Sequence, residues 1–171
     1  MPNQTAMSRV ERQLDSVGLE LPPSKRPVAN YLGCKRSGDL LYVSGQIGLV
    51  RGTVGSDVTL AHGQLCARQA VLQMLRTVKD AIGDLDQIAS VEKLLGFVRS
   101  ADNFTEQPKV VDGASDLLIA LFGEAGRHSR TATGAPQLPF GASVQLEMTL
   151  RLWPAIHSIL PPTWSRKQDH L

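Results

Sequence analysis

An α+β fold, two helices packed on one face of a mixed sheet, follows from three observations on this 171-residue sequence. The run Val144–Leu152 alternates strictly. Val144, Leu146, Met148, Leu150 and Leu152 point one way and Gln145, Glu147, Thr149 and Arg151 the other, as in a strand with one face in a core. Two other stretches, 59–82 and 110–122, repeat their apolar residues at helical spacing instead. Along the chain the periods run β-β-(β)-α-β-α-β-β after a helical preface, an α+β layer. Helices on one side leave the other face of the sheet bare. Its residues are only moderately polar, which suggests that neighbouring subunits cover it.

The elements can be justified in order. Ser8-Arg9-Val10-Glu11 reads as a capping box, the serine accepting from the third helical amide while the glutamate reaches back. Val10, Leu14 and Val17 follow at i, i+4 and i+7, and Gly18 supplies a stop: a short amphipathic helix. The prolines of 21–27 cannot continue it, since proline lacks the amide donor and restricts its predecessor, so an extended connector over the surface is expected. Residues 30–36 are predicted as the first strand and 40–44 as the second, joined in a hairpin by Ser37-Gly38-Asp39. Ser44-Gly45-Gln46 ends that strand, with Gly45 permitting a bulge or a close approach to the backbone. Residues 47–50 resume an extended pattern before a glycine-rich loop at 51–57.

In the helix 59–82, Ala67, Ala70, Val71, Met74, Leu75, Val78 and Ile82 form the apolar stripe, and Gly83 caps it. Met74 on such a stripe is core filler. The strand 91–98 is apolar on both faces at its end and belongs inside the sheet. A second helix at 110–122 closes at Gly123, and strands around Arg130 and over Val144–Leu152 complete the fold. The organisation expected is an N-terminal helix and proline-rich connector (1–29), one domain (30–153) and an irregular tail (154–171).

Composition excludes several function classes. With 42% hydrophobic and 20% charged residues the chain fits a soluble globular domain. A net charge of +2 is too small for a nucleic-acid footprint, and 2 Trp, 2 Tyr and 4 Phe with no basic stripe offer little to stack bases on. No apolar run is long enough to span a membrane, and the N-terminus lacks the apolar core of a secretory signal. Cys34 and Cys66 have no metal-like spacing, so a cytoplasmic protein with ordinary thiols is expected. His62, His128, His157 and His170 show no zinc pattern; phosphate-loop and dinucleotide fingerprints are missing, and Val43-Ser44-Gly45 is not a nucleophile elbow. No metal and no cofactor are expected.

Arg130 and Glu147 flank the tight Leu138-Pro139 turn. An arginine offers a planar fork that grips a carboxylate through two parallel charge-assisted hydrogen bonds. A carboxylate can polarise water as a general base. Taken alone, these two residue types fit an ordinary protein surface better than a site.

A wider pattern changes that balance. Tyr31 is followed thirteen residues on by Ser44-Gly45-Gln46; Arg130 stands eight residues before Leu138-Pro139; Glu147 lies on the last strand. This combination resembles the reactive-intermediate deaminase (RidA/YjgF) family, also labelled the L-PSP endoribonuclease family, over roughly 31–152. Phe104-Thr105-Glu106-Gln107-Pro108-Lys109-Val110 and Leu138-Pro139-Phe140-Gly141-Ala142 resemble a less characterised branch of it. The resemblance implies a chorismate-mutase-like fold, a homotrimer built around a sheet-lined barrel, and active sites in clefts between subunits. The activity implied is hydrolysis of small enamine and imine intermediates to 2-oxo acids and ammonia, without a cofactor. Carried over by position, Arg130 binds the substrate carboxylate, Glu147 positions the attacking water, Ser44 and the Gly45 backbone hold polar groups of the intermediate, and Tyr31 lines the pocket. Asp112 stands where the family often has asparagine and adds a charge to substrate binding if it faces the site. Ala132 replaces a cysteine common two residues after the arginine, and the loop from Pro139 to Glu147 is two residues longer than usual. Two other readings go with the resemblance: a non-catalytic trimer that binds small acids, and an endoribonuclease.

Overall fold

The computed structural model describes residues 7–25 and 29–154. Among these residues the order is α1 (Arg9–Ser16), β1 (Cys34–Ser37), β2 (Leu40–Ile47), α2 (Leu60–Ile82), β3 (Ile88–Arg99), α3 (Gln107–Phe122), β4 (Ser129–Ala135) and β5 (Val144–Leu152). The strands form one mixed sheet, β1-β2-β5-β3-β4. Neighbours run antiparallel except β3 and β4, which are parallel because α3 carries the chain back along the sheet between them. The α+β architecture expected from the periods is the one observed.

Helices α2 and α3 cover one face. The predicted stripes are buried from Ala67 to Val78 on α2 and from Val110 to Phe122 on α3, joined by Gly63, Cys66 and Gly113 and meeting Leu146, Met148, Leu150 and Leu152 of β5, while Ile82 at the end of α2 is only half-buried. Thr59 caps α2 by accepting the His62 amide, and Gly83 ends it with a φ of 85° that suits glycine. The two helices touch backbone to backbone at Gly113, where a Cβ would stand 2.3 Å from the Gln64 carbonyl oxygen. Helix α1 forms with its capping box complete and adds Val10 and Leu14 to the same core. Val17, expected on its stripe, is instead the C-cap and largely exposed.

Two strand boundaries differ from expectation. β1 begins at Cys34, because the stretch before it is held by a bulge rather than by a ladder: Ser44 donates its N–H to the Gly33 carbonyl at 2.9 Å and its hydroxyl to the Leu32 carbonyl at 2.6 Å. β2 does not end at Ser44. It runs through the bulge to Ile47, so the extended pattern expected over 47–50 begins as the end of the same strand. Residues 26–28 of the proline-rich connector and 155–171 of the tail lie outside the described residues.

The opposite face of the sheet carries no helix among the described residues. Tyr42, Lys93, Leu95, Phe97, Glu147 and Thr149 alternate with buried core positions and are exposed or half-buried there.

Candidate active site

The site residues predicted from sequence fall into two groups. The first is built by the bulge in β2. Val43 pairs with Met148 and Gln46 with Leu146, so two residues, Ser44 and Gly45, stand opposite the single residue Glu147. That is the geometry of a β-bulge, which re-aims side chains next to a site. Gly45 lets the Gln145 side chain lie close: a Cβ there would meet its Nε2 at 2.8 Å and push the amide aside. Because the Ser44 hydroxyl proton is committed to the Leu32 carbonyl, its oxygen is left as an acceptor.

Tyr31, Ser44 and Gly45 line one cavity of about 1020 Å³, bounded by α2 at Gln73 and Thr77 and by the turn at Pro139 and Phe140. Phe140 takes a left-handed φ of 56° on that turn and is 74% exposed. A non-glycine residue in that region is uncommon, and it projects an aromatic ring at the cavity edge. Cys34 also lines this cavity, and burial pushes its thiol up to about 11, so it is not a thiolate at neutral pH. Both cysteines are free.

Glu147 opens onto the helix-free face instead. It lines a smaller cavity of about 200 Å³ with Tyr42, Lys93, Leu95 and Thr149, and its carboxylate has no hydrogen-bond or ion-pair partner among the described residues. An unengaged carboxylate is free to hold a water.

The second group lies at the other edge of the sheet. Arg130 is on β4 and points toward α3, where its Nη1 donates to Asp112 Oδ1 at 2.8 Å and to Ser115 Oγ at 3.1 Å. Asp112 thus meets Arg130 directly. With Nη1 held, the edge formed by Nε and Nη2 remains available for a carboxylate. Ser115 is in turn 3.0 Å from His128 Nε2, and His128 Nδ1 lies 2.6 Å from the Gly126 carbonyl oxygen. Ala132 follows Arg130 on the same side of β4 and packs against the core.

The structure therefore joins Tyr31, Ser44 and Gly45 at one cavity, sets Glu147 opposite the bulge, and joins Arg130 to Asp112. It does not bring Arg130 to the other group within one chain. Sequence reasoning missed Ser115, His128 and Gln145. Ser115 stands three residues after Asp112, on the same side of a helix, and His128 stands two before Arg130, on the same side of an extended segment; both spacings were there to be used.

Comparison with known proteins gives the family and the fold. A model of the family described as "YjgF/chorismate mutase-like, putative endoribonuclease" matches residues 11–150. Protein TCP17 of Trypanosoma cruzi is 42% identical over 154 residues, covering 86% of this chain and 96% of that protein. A protein of unknown function from Agrobacterium tumefaciens has a crystal structure that superposes with a TM-score of 0.79 at 42% identity, over 84% of this chain and 92% of that one. A second crystal structure, named a putative endoribonuclease of Shewanella oneidensis, gives a TM-score of 0.80 at 34% identity, over 84% and 99%. With the family model matching 140 of the 171 residues and a relative 42% identical over 86% of the chain, the chain belongs to the YjgF/chorismate mutase-like family.

Proposed function

We propose that this protein hydrolyses small enamine or imine intermediates to 2-oxo acids and ammonia, as a homotrimer whose clefts join the Arg130 group of one subunit to the bulge and Glu147 of the next. One observation carries the reading. Arg130 and Glu147 lie on opposite faces of the sheet, so a ligand gripped by one meets the other only when a second copy supplies it.

The chemistry follows from the groups present. An enamine first takes a proton at carbon and gives one up from nitrogen to become the imine, whose carbon is electrophilic. The free edge of Arg130 binds the carboxylate through two parallel hydrogen bonds, about 1.5–3 kcal/mol each for charged partners. Glu147 accepts a proton from water as the oxygen adds to the C=N carbon, and the nitrogen takes a proton, giving a carbinolamine. The Ser44 oxygen accepts from the nitrogen. In the collapse the carbinolamine hydroxyl gives up its proton and the nitrogen takes one, the C–N bond breaks, the carbonyl forms and ammonia leaves. Orientation supplies most of what this reaction needs, since the electrophile arrives already activated. Tyr31 lines the pocket, and Asp112 acts on Arg130.

The test is ammonia release from 2-iminopropanoate and 2-iminobutanoate, generated in place by an amino-acid oxidase with semicarbazide as the competing trap. Acceleration that is lost in Arg130→Ala supports the reading. Equal rates with and without the protein overturn it. Ala132, in place of the family's common cysteine, favours a second reading: a trimer that binds 2-oxo acids without turning them over. Binding of 2-oxobutanoate with no acceleration of either imine is its signature.

A further inference from the structure

Ser115, His128 and Gly126 have no part in the reaction as written, yet their polar atoms form one continuous chain ending on Arg130. Chemistry fixes the direction of its two end bonds outright and of the middle one for a neutral imidazole. Arg130 can only donate, so the Ser115 oxygen accepts from Nη1 at 3.1 Å. A carbonyl can only accept, so His128 Nδ1 bears the proton facing the Gly126 oxygen at 2.6 Å. In neutral His128, Nε2 is then a bare lone pair 3.0 Å from Ser115, and it takes the serine's own proton. Each group is thereby satisfied, and Ser115 presents a lone pair to Arg130 and nothing else.

The ends of the chain are rigid. Gly126 is pressed against α3: a Cβ there would stand 2.3 Å from the Leu118 carbonyl oxygen. Ser115 sits on α3 three residues before Leu118, so the chain starts at Gly126 in the turn packed against that helix, passes through the imidazole and reaches the helix at Ser115. A serine inside a helix ordinarily bonds back to a carbonyl one turn earlier. Here its hydroxyl is turned toward the imidazole instead.

We infer that His128, acting through Ser115, is a positioning residue for Arg130: in its Nδ1–H tautomer it fixes the serine rotor so that Nη1 is held and the Nε–Nη2 edge faces outward for a carboxylate. This rests on the proposed role of Arg130 as the carboxylate anchor. Asp112 neutralises the arginine, and the Ser115–His128 pair sets its angle. An uncommitted serine hydroxyl would rotate and compete for other acceptors, leaving the fork less well aimed.

Two substitutions separate the parts of the chain. His128→Gln can place its amide oxygen where Nε2 was and still accept from Ser115. His128→Asn keeps a donor to Gly126 and loses the acceptor for the serine. The expected result, by calorimetry with 2-oxobutanoate, is weakening of about 3- to 10-fold in His128→Asn and in Ser115→Ala, the worth of one hydrogen bond. His128→Gln should retain most of the wild-type affinity. In an Arg130→Ala background none of these changes should have any further effect. Nitrogen-15 spectra should show His128 protonated at Nδ1 and bare at Nε2. An Nε2–H tautomer overturns the inference, as does an affinity in His128→Asn and Ser115→Ala equal to wild type while Arg130→Ala abolishes binding. If Arg130→Ala itself binds normally, the anchor reading fails instead, so the two failures are told apart. Thermal unfolding and size measurements on Ser115→Ala, in which a helix-compatible residue replaces serine, guard against loss of fold.

Discussion

Arg130 and Glu147 stand two strand spacings apart, about 10 Å at ordinary strand separation, and on opposite faces of the sheet. Arg130 is drawn against α3 by Asp112, while Glu147 pairs across to Leu95 on the side without helices. A three- or four-carbon acid cannot bridge them around the edge of one subunit. If both serve one reaction, they serve it from different copies of the chain.

Mixed assemblies test that statement. Glu147→Gln alone should slow deamination by about 10²–10⁴, the usual worth of general acid–base help. Arg130→Ala alone should be inactive at low substrate. Unfolded together, refolded at equal amounts and assayed, the two variants should recover about a quarter of wild-type activity, because that share of intersubunit clefts would draw both intact residues from different subunits. A mixture no better than its parents would mean that each site is complete within one chain, or that Glu147 has no part in it.

Gly113→Ala should disturb the arginine from a distance. A Cβ at that position meets backbone, the Gln64 oxygen at 2.3 Å, and backbone cannot step aside as a flexible side chain can. Separating α2 from α3 should cost about 1–3 kcal/mol as overpacking, read from urea unfolding. Because Asp112 and Ser115 ride on α3, the affinity for 2-oxo acids should fall as well. A stable variant with unchanged affinity would show that the helix contact has slack.

Asp86 anchors the N-terminal helix to the body of the fold. Its carboxylate accepts from the Arg9 amide at 2.7 Å and the Val10 amide at 3.2 Å, two of the donors that a helix start leaves unpaired. Asp86→Ala should lose about 1–2 kcal/mol of stability and expose α1 to proteolysis before the rest unfolds. Chemical unfolding and limited proteolysis read the two effects separately.

Glu11 links that helix to α2 and gives stability a pH dependence. Burial pushes its carboxyl up, but the Lys79 ammonium, together with the backbone and hydroxyl of Ser8, outweighs this and holds it below the ordinary glutamate range. The folded value is therefore the lower one. The stabilisation is complete above the unfolded value, about 4.3 for a free glutamate, and is lost as pH falls through the folded value. Glu11→Gln should flatten the acid limb of the stability curve below that point and leave its slope near pH 7 unchanged.

Much of the fold was legible because it rests on periodicity. Val144–Leu152 alternates so cleanly that a strand with one face in the core follows from it, although its central place in the sheet does not, and all of the α2 and α3 stripes except the half-buried Ile82 are buried as expected. The first strand was less legible. Tyr31 and Leu32 have strand-like side chains, but whether they join a ladder depends on where Ser44 spends its donors, on carbonyls eleven and twelve residues before it in sequence. The candidate site residues come from the family resemblance, which names them one by one and says nothing of how they are arranged. Arg130 shares a face with Leu94, and Glu147 pairs with Leu95; one step of register along β3 decides which side each takes. Ser115 and His128 carry no motif of their own and become visible only when α3 and β4 are laid side by side.

The bulge in β2 separates what the fold needs from what the cleft needs. With either Ser44 or Gly45 deleted, Val43 would still face Met148, Gln46 would still face Leu146, and the remaining residue would fall opposite Glu147 in an unbroken ladder. Every side chain beyond it would keep its present face. The scaffold can therefore shed one residue and heal, whereas the concavity at Ser44 and Gly45 cannot survive the repair. That concavity is an excess of one codon over what the sheet requires, so a single in-frame loss removes it in one step and leaves the strand order intact.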